Sequence, residues 1–333
     1  MSSKKHILRF LALLLCAAVL IPGLSGCTPE DDRVIIYSNA DEEALTAIEH
    51  ALDAGGYQGQ YILQSFATSE LGGRLMAEGT KLEADIVTMS TYYLEAAQQE
   101  SAMFSDLTLA SKPLEDTPAF ATPITVQEAA LMVNTEVLAA EGLAAPASIA
   151  DLAKPEYAGL ISVPDIEGSS TGWLLVQSIL GAYGEDEAAE ILTGILKNAG
   201  PHLESSGSGP FKKVKAGEVA VAFGLRHQSM AAQKEGLPID TVDPAEGNYA
   251  LTESLAVVAK GDNTNPRAED MAECILQNAR AELLETYPRP LYAGEAAGAD
   301  ASKNPKTYPE ALTTDLLQQH QEFFDRCAQA ANQ

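Results

Sequence analysis

From Arg33 onward, short apolar runs alternate with helix-periodic stretches, and this alternation restricts the fold more than any other feature of the chain. Arg33-Val34-Ile35-Ile36-Tyr37 is a compact strand pattern. Glu42 to Leu52 carries apolar residues at helical spacing and stops at Gly55-Gly56. Tyr61-Ile62-Leu63 is a second strand, Leu71 to Glu78 a second helix ending at Gly79, and Ala84 to Thr88 a third strand. Such alternation predicts an α/β fold, with a mostly parallel sheet covered by helices. A second set follows: a strand over Leu160–Val163, helices over Trp173–Leu180 and Glu187–Leu196, and a strand over Val219–Phe223. Ala129–Val133 and Leu255–Val258 read as strands that carry the chain from the first set to the second and back. Arg267–Thr286 and Pro309–Ala328 are helical, and the Gly- and Ala-rich stretch from Gly294 to Asp300 is the expected mobile loop. The expectation is two α/β lobes with mixed, mostly parallel sheets joined by a two-crossing hinge. Residues 33–122 and 252–333 form the first lobe and 123–251 the second.

One local pattern recurs four times: a strand ends, a short loop rich in Ser or Thr follows, and a helix begins. The loops are Tyr37-Ser38-Asn39, Ser65 to Ser69 with Thr68 and Ser69, Glu167 to Gly172 with Ser169, Ser170 and Thr171, and Ser205 to Gly209 with Ser206 and Ser208. Each helix start presents unpaired N–H groups and the positive end of a dipole. Hydroxyls add donors and glycine allows close approach, so together they make anion sites. Ser and Thr are equally the favoured helix N-caps, so any single loop is explained by capping alone. Four of them, two in each half, are what a cleft between α/β lobes needs, because ligands bind beyond the carboxyl ends of such strands.

The chain of 333 residues has 21 Lys and Arg against 47 Asp and Glu, a net charge of −26. A length above the usual single-domain range supports two domains. The anionic balance disfavours nucleic acid and anionic lipid headgroups as partners. Cys-x-x-Cys, His-Glu-x-x-His and Gly-x-Ser-x-Gly signatures are absent, and the histidines are scattered, so no cofactor and no metal are expected. An extracellular hydrolase stands as the enzymatic alternative, without a recognisable nucleophile–base pair. Of four cysteines, Cys274 and Cys327 have no metal-ligand spacing, and their pairing is left open.

The N-terminus has the order of a secretory signal: Lys4, Lys5 and Arg9, an apolar run from Phe10 to Pro22, then Leu24-Ser25-Gly26-Cys27. The last four residues resemble the bacterial lipobox. That resemblance implies a signal peptide over 1–26, lipidation (palmitate) of Cys27, a tether over 27–32, and a mature protein held at the outer face of the cytoplasmic membrane, periplasmic in a Gram-negative cell. Removing 26 residues takes away three basic and no acidic groups, so the charge becomes −26 − 3 = −29.

Beyond the leader the chain resembles the type II periplasmic solute-binding proteins of ABC importers, in the branch of ferric-iron, aminoethylphosphonate and hexose-phosphate binders. The residues that carry this are Val34 to Ser38, Phe66 to Leu71, Glu83 to Val87, Ile166 to Gly172, and Gly207-Ser208-Gly209 through Lys215 to Gly224. The resemblance implies capture of a small anionic solute, phosphate- or phosphonate-bearing, by hinge closure, and delivery to a membrane permease. Ferric-binding members carry adjacent tyrosines after the strand that is Val219–Phe223 here. This chain has Leu225-Arg226-His227-Gln228 there. Arg226 offers a fork suited to an anion, and His227 a bond to a hydroxyl or phosphate oxygen. Glu246 and Glu253 are candidates for a ligand amine. Tyr92, followed by Tyr93, is a candidate stacking contact, and with carboxylates these tyrosines are the ligands of the alternative, a ferric-iron-binding protein using a synergistic anion.

Overall fold

The computed structural model describes residues 32–333; the expected signal peptide over 1–26 and Cys27 lie outside the described residues. Arg33–Gln333 form one compact unit. In chain order its elements are β1 (Val34–Ser38), α1 (Glu42–Ala54), β2 (Tyr61–Ser65), α2 (Thr68–Glu78), β3 (Ile86–Ser90), α3 (Thr91–Ser101), β4 (Ala121–Asn134), α4 (Thr135–Glu141), β5 (Ile161–Pro164) and α5 (Ser170–Ala199). There follow β6 (Leu203–Glu204), α6 (Gly209–Ala216), β7 (Val221–Leu225), α7 (Arg226–Lys234), β8 (Ile239–Val242), β9 (Asn248–Val257), α8 (Ala268–Thr286), β10 (Pro305–Lys306) and α9 (Thr314–Ala331).

The strands are continuous in the order β2-β1-β3-β9-β4-β7-β5-β6, with β8 on β4 and β10 on β9. Pairing is parallel for β1 with β2 and β3, and for β5 with β6 and β7. It is antiparallel where β4 and β9 run through the middle. The fold is therefore α/β with a mixed sheet and two lobes, as the strand–helix alternation predicts. β4 makes the outward crossing: Ala121–Glu128 pair with β9 and Ala129–Val133 with β7. The return strand begins at Asn248, earlier than the apolar run at Leu255 suggests, because Asn248, Thr252, Glu253 and Ser254 interrupt its hydrophobic pattern.

Alternate side chains of each strand serve opposite faces. In the first half Val34, Ile36 and Ile86 pack with α1 and α8, while Tyr37 and Val87 pack with α2 and α3. In the second half Leu131, Val133, Val221 and Phe223 pack under α5, while Met132 and Ala222 meet Val214 of α6 and Ala232 of α7. The two helices expected over 173–196 lie within α5 on either side of a kink at Gly184, whose φ of 71° and ψ of 171° break helical geometry. Cys274 and Cys327 are free thiols in different cores, which closes the question of their pairing. No described helix is long and apolar enough to cross a membrane.

The C-terminal helix departs from the expected boundary of the lobes. The strand pattern places residues up to 333 in the first lobe, yet α9 packs on α5 of the second. The reason is the N-terminal part of α5, where every residue from Thr171 to Ile179 is buried. A helix apolar on all sides needs cover on all sides, and the sheet supplies only one. Leu316, Leu317, Phe323, Phe324 and Cys327 supply the other, and His320 Nδ1 accepts from Trp173 Nε1 at 2.8 Å. Phe324→Ala is expected to lower unfolding stability by about 3–5 kcal/mol in denaturant titration; a change within about 0.5 kcal/mol, as for a surface site, would show that α9 does not close this core.

Candidate functional site

Four strand–loop–helix junctions converge on one cavity of about 260 Å³. Asn39–Asp41 lead into α1, Phe66–Thr68 into α2, Gly168–Thr171 into α5 and Ser205–Ser208 into α6, and all of them line it. Gln127 of β4, Leu251 and Glu253 of β9, and Leu225 and Gln228 around the start of α7 complete it. No Lys, Arg or His is among the described lining residues, whereas Asp41 and Glu253 are.

Capping accounts for only part of these loops. Asp41 caps α1 by accepting from Ala44 N at 3.2 Å, and Ser169 caps α5 by accepting from Thr171 N at 3.0 Å. Ser208 makes no side-chain cap bond to α6, and α2 starts from Ala67, which has no side chain to cap with. The third and fourth loops touch through their backbones. A β-carbon on Gly168 would lie 2.0 Å from the Ser205 carbonyl oxygen, and one on Gly207 would lie 2.5 Å from Thr171 Oγ1 and 2.6 Å from Ser169 Oγ. Glycine is therefore required at both positions, and it lets the hydroxyls of Ser169 and Thr171 sit against the Ser206–Ser208 turn.

Asp41 and Glu253 differ in state. Burial alone would push the Asp41 carboxyl up, but His227, the Tyr287 hydroxyl and the Ala44 amide hold it below the usual carboxylate range. Glu253 has no cation beside it. Burial and then the nearby Asp41 charge push it up to about 8, against a lowering bond from Ser90 Oγ at 2.6 Å. With its amide oriented to satisfy its neighbours, Asn39 donates to Glu253 Oε2 (3.1 Å) and the Thr88 carbonyl (3.3 Å) and accepts from Thr68 Oγ1 (3.1 Å). Two further acceptors, the side-chain oxygens of Gln127 and Gln228, are buried without a hydrogen-bond partner.

Of the residues singled out from the sequence, Asn39, Thr68, Ser169, Ser170, Thr171, Ser206, Ser208 and Glu253 line this cavity. Ser38 does not: it is buried beneath, accepting from Thr88 Oγ1 at 2.6 Å and Ala40 N at 3.0 Å. Ser69 and Tyr92 line a small recess that shares Thr68, Ser169 and Ser170 with the cavity. Tyr92 packs edge-on against Trp173 at 4.8 Å, and burial drives its phenol well up and that of Tyr93 up as well. That environment opposes the phenolates a ferric ion needs. Arg226 and His227 correct the expectation most clearly. Helical geometry turns Leu225 and Gln228 toward the cavity and the two residues between them away. Arg226 donates to Asp243 Oδ1 at 2.8 Å and to the Asp300 carbonyl, and both residues face a second cavity. Glu246, the other amine candidate, accepts from Ser148, Tyr183 and the Ile149 amide away from the site. Gln127 and Gln228 were missed; the three-residue step from Leu225 was the available signal for Gln228, and Gln127 had none.

An α/β body of two halves crossed by two strands, with helix N-termini from both halves around one cavity, is the architecture of a type II periplasmic binding protein. Residues 84–319 match the family model of the bacterial extracellular solute-binding proteins, and the chain belongs to that family, the solute-capturing component of ABC importers. It is 24% identical over 320 residues to the "Spermidine/putrescine-binding periplasmic protein" of Escherichia coli K12, covering 90% of each chain. Its fold is similar to the periplasmic binding protein P5PA (TM-score 0.73, 20% identity, 90% of this chain and 99% of that one). It is also similar to AfuA from Actinobacillus pleuropneumoniae, solved with fructose-6-phosphate (TM-score 0.69, 18% identity, 89% and 96% covered).

The state of Glu253 has a measurable consequence for stability. In the unfolded chain its carboxyl loses its proton near the ordinary value of 4.5, but in the folded protein only near 8. The folded form therefore holds the extra proton between these values. The group's contribution is complete below about pH 4.5 and is lost as pH rises to about 8. Relative to Glu253→Gln, the wild-type melting temperature is expected to fall steadily over that window. Parallel curves for the two proteins would show that Glu253 titrates normally.

Proposed function

We propose that the cavity captures a small zwitterionic solute, with a phosphate or phosphonate at the helix starts and an amine against the carboxyl groups. The carrying observation is the composition of the lining. It holds hydroxyls and the helix N-termini of α5 and α6, which favour an anion without any basic side chain. It also holds Glu253 and the oxygens of Gln127 and Gln228, which lack a hydrogen-bond partner, a set that accepts hydrogen bonds from an ammonium group. Both halves contribute, so hinge closure around the solute and docking on a membrane permease follow from this reading. Lipidation of Cys27 would hold the receptor beside that permease.

A second reading has one observation in its favour. Glu253, without a cationic partner in the lining, suits a purely cationic solute, and the E. coli relative is described as binding spermidine and putrescine. The two readings divide on the Ser/Gly loops, which serve only the first.

Thermal unfolding against aminoethylphosphonate, inorganic phosphate, sugar phosphates, putrescine, spermidine and ferric citrate separates them. A true ligand at 100 times its dissociation constant should stabilise by about 2.7 kcal/mol. The zwitterion reading expects the largest shift with aminoethylphosphonate, lost in Gly207→Ala, whose new methyl displaces the Ser169 and Thr171 hydroxyls. It also expects affinity to rise with pH toward about 8, because the amine requires Glu253 ionised. Stabilisation by polyamines that survives Gly207→Ala would instead establish the cationic reading, and a shift with ferric citrate alone would remove both.

A further inference from the structure

At the edge of the solute cavity, which Asp41 also lines, the start of α1 and the start of α7 bring Asp41, Glu43 and His227 together. One ligand atom from each lies within 4.8 Å of the other two. The His227 side chain is only 4% exposed, and Tyr287 holds its ring, with centroids 4.7 Å apart. Its Nε2 lies 3.2 Å from Asp41 Oδ2, an ion-pair contact, but without the alignment of a hydrogen bond. A buried ring nitrogen that faces a carboxylate without an aligned hydrogen bond is incompletely satisfied.

We infer that Asp41, Glu43 and His227 form a binding site for a divalent transition ion, with zinc the best match. Bonds of 2.0–2.2 Å at a tetrahedral angle place an imidazole nitrogen and a carboxylate oxygen about 3.3–3.6 Å apart, close to the 3.2 Å between His227 Nε2 and Asp41 Oδ2. The imidazole selects against calcium and magnesium, which take oxygen ligands in larger number. Two carboxylates offset the charge of the ion. Glu43 is exposed and opens the site to solvent, and a cavity of about 240 Å³ bordered by Glu43 and His227 leaves room for a water in the fourth position. Asp41 and Glu43 belong to the first half and His227 to the second, so the ion would tie α1 to α7 across the molecule. Of the three ligands only Asp41 also lines the solute cavity, and Glu43 and His227 do not.

The test is a zinc titration of the compact unit Arg33–Gln333 after chelator treatment, against a chromophoric competitor. His50→Asn serves as the background, because His50 and Glu282 make an exposed pair at 3.1 Å that offers a weak surface site. One zinc per chain is expected. His227→Gln should abolish it, and Glu43→Gln should weaken it at least about 10-fold, on the scale of losses seen around metal sites. Glu43 is exposed and outside the cores, so its variant decides the matter even where His227→Gln fails to fold. A protein that takes up no zinc, or a Glu43→Gln variant that binds as tightly as the background, overturns the inference.

Discussion

The antiparallel ladder between β4 and β9 is the constraint on which the rest of the molecule depends. From Ala121 opposite Ala256 to Glu128 opposite Ala250, these strands carry the chain out to the second half and back while paired with each other. Each also pairs with the parallel strands of the half it joins, β9 with β3 and β4 with β7. The two halves are thereby held with the carboxyl ends of their parallel strands facing a common space. The same ladder places Gln127 and Leu251 as partners at the solute cavity, and the pleat puts Glu253 two residues along on the same face. Structural continuity and the polar side of the site thus come from the same residues.

The electrostatics of the cavity follow from how its charges are answered. Four helix starts bring partial positive charge without a basic side chain, and such a field is set by backbone rather than by flexible side chains. Asp41 stays ionised because it caps α1 and sits beside His227 and Tyr287. Glu253, only a few residues away in space, has no such partners and holds its proton to about pH 8. Two carboxyl groups in one lining therefore play different parts: one belongs to the scaffold and one is left for a ligand. Arg226 shows the opposite outcome, a cation spent entirely on Asp243 and the Asp300 carbonyl.

Much of this was legible in the chain. The strand–helix alternation from Val34 to Phe223 and the four Ser/Thr/Gly loops are local patterns, and local patterns determine where strands stop, helices start and N–H groups are left over. All four loops line the cavity, since parallel strands in one sheet present their carboxyl ends on one edge. Local pattern also marked the break between two helices that falls at Gly184. What it could not determine was direction around a helix or the partner of an apolar face. Arg226 and His227 were in the right segment, but a rotation of about 100° per residue decides which cavity a side chain meets, and only the docking of α7 on β4 and β8 sets that angle. The stripe on α9 was visible as a stripe; that it covers α5 depends on the all-round burial of Thr171–Ile179, which is a property of the assembled core. The sequence by itself determined the fold class and the four loops, because these follow from periodicity and backbone capping. The tertiary structure alone decided which hydroxyls, carboxyls and amides share a cavity, because that depends on contacts between residues more than a hundred positions apart.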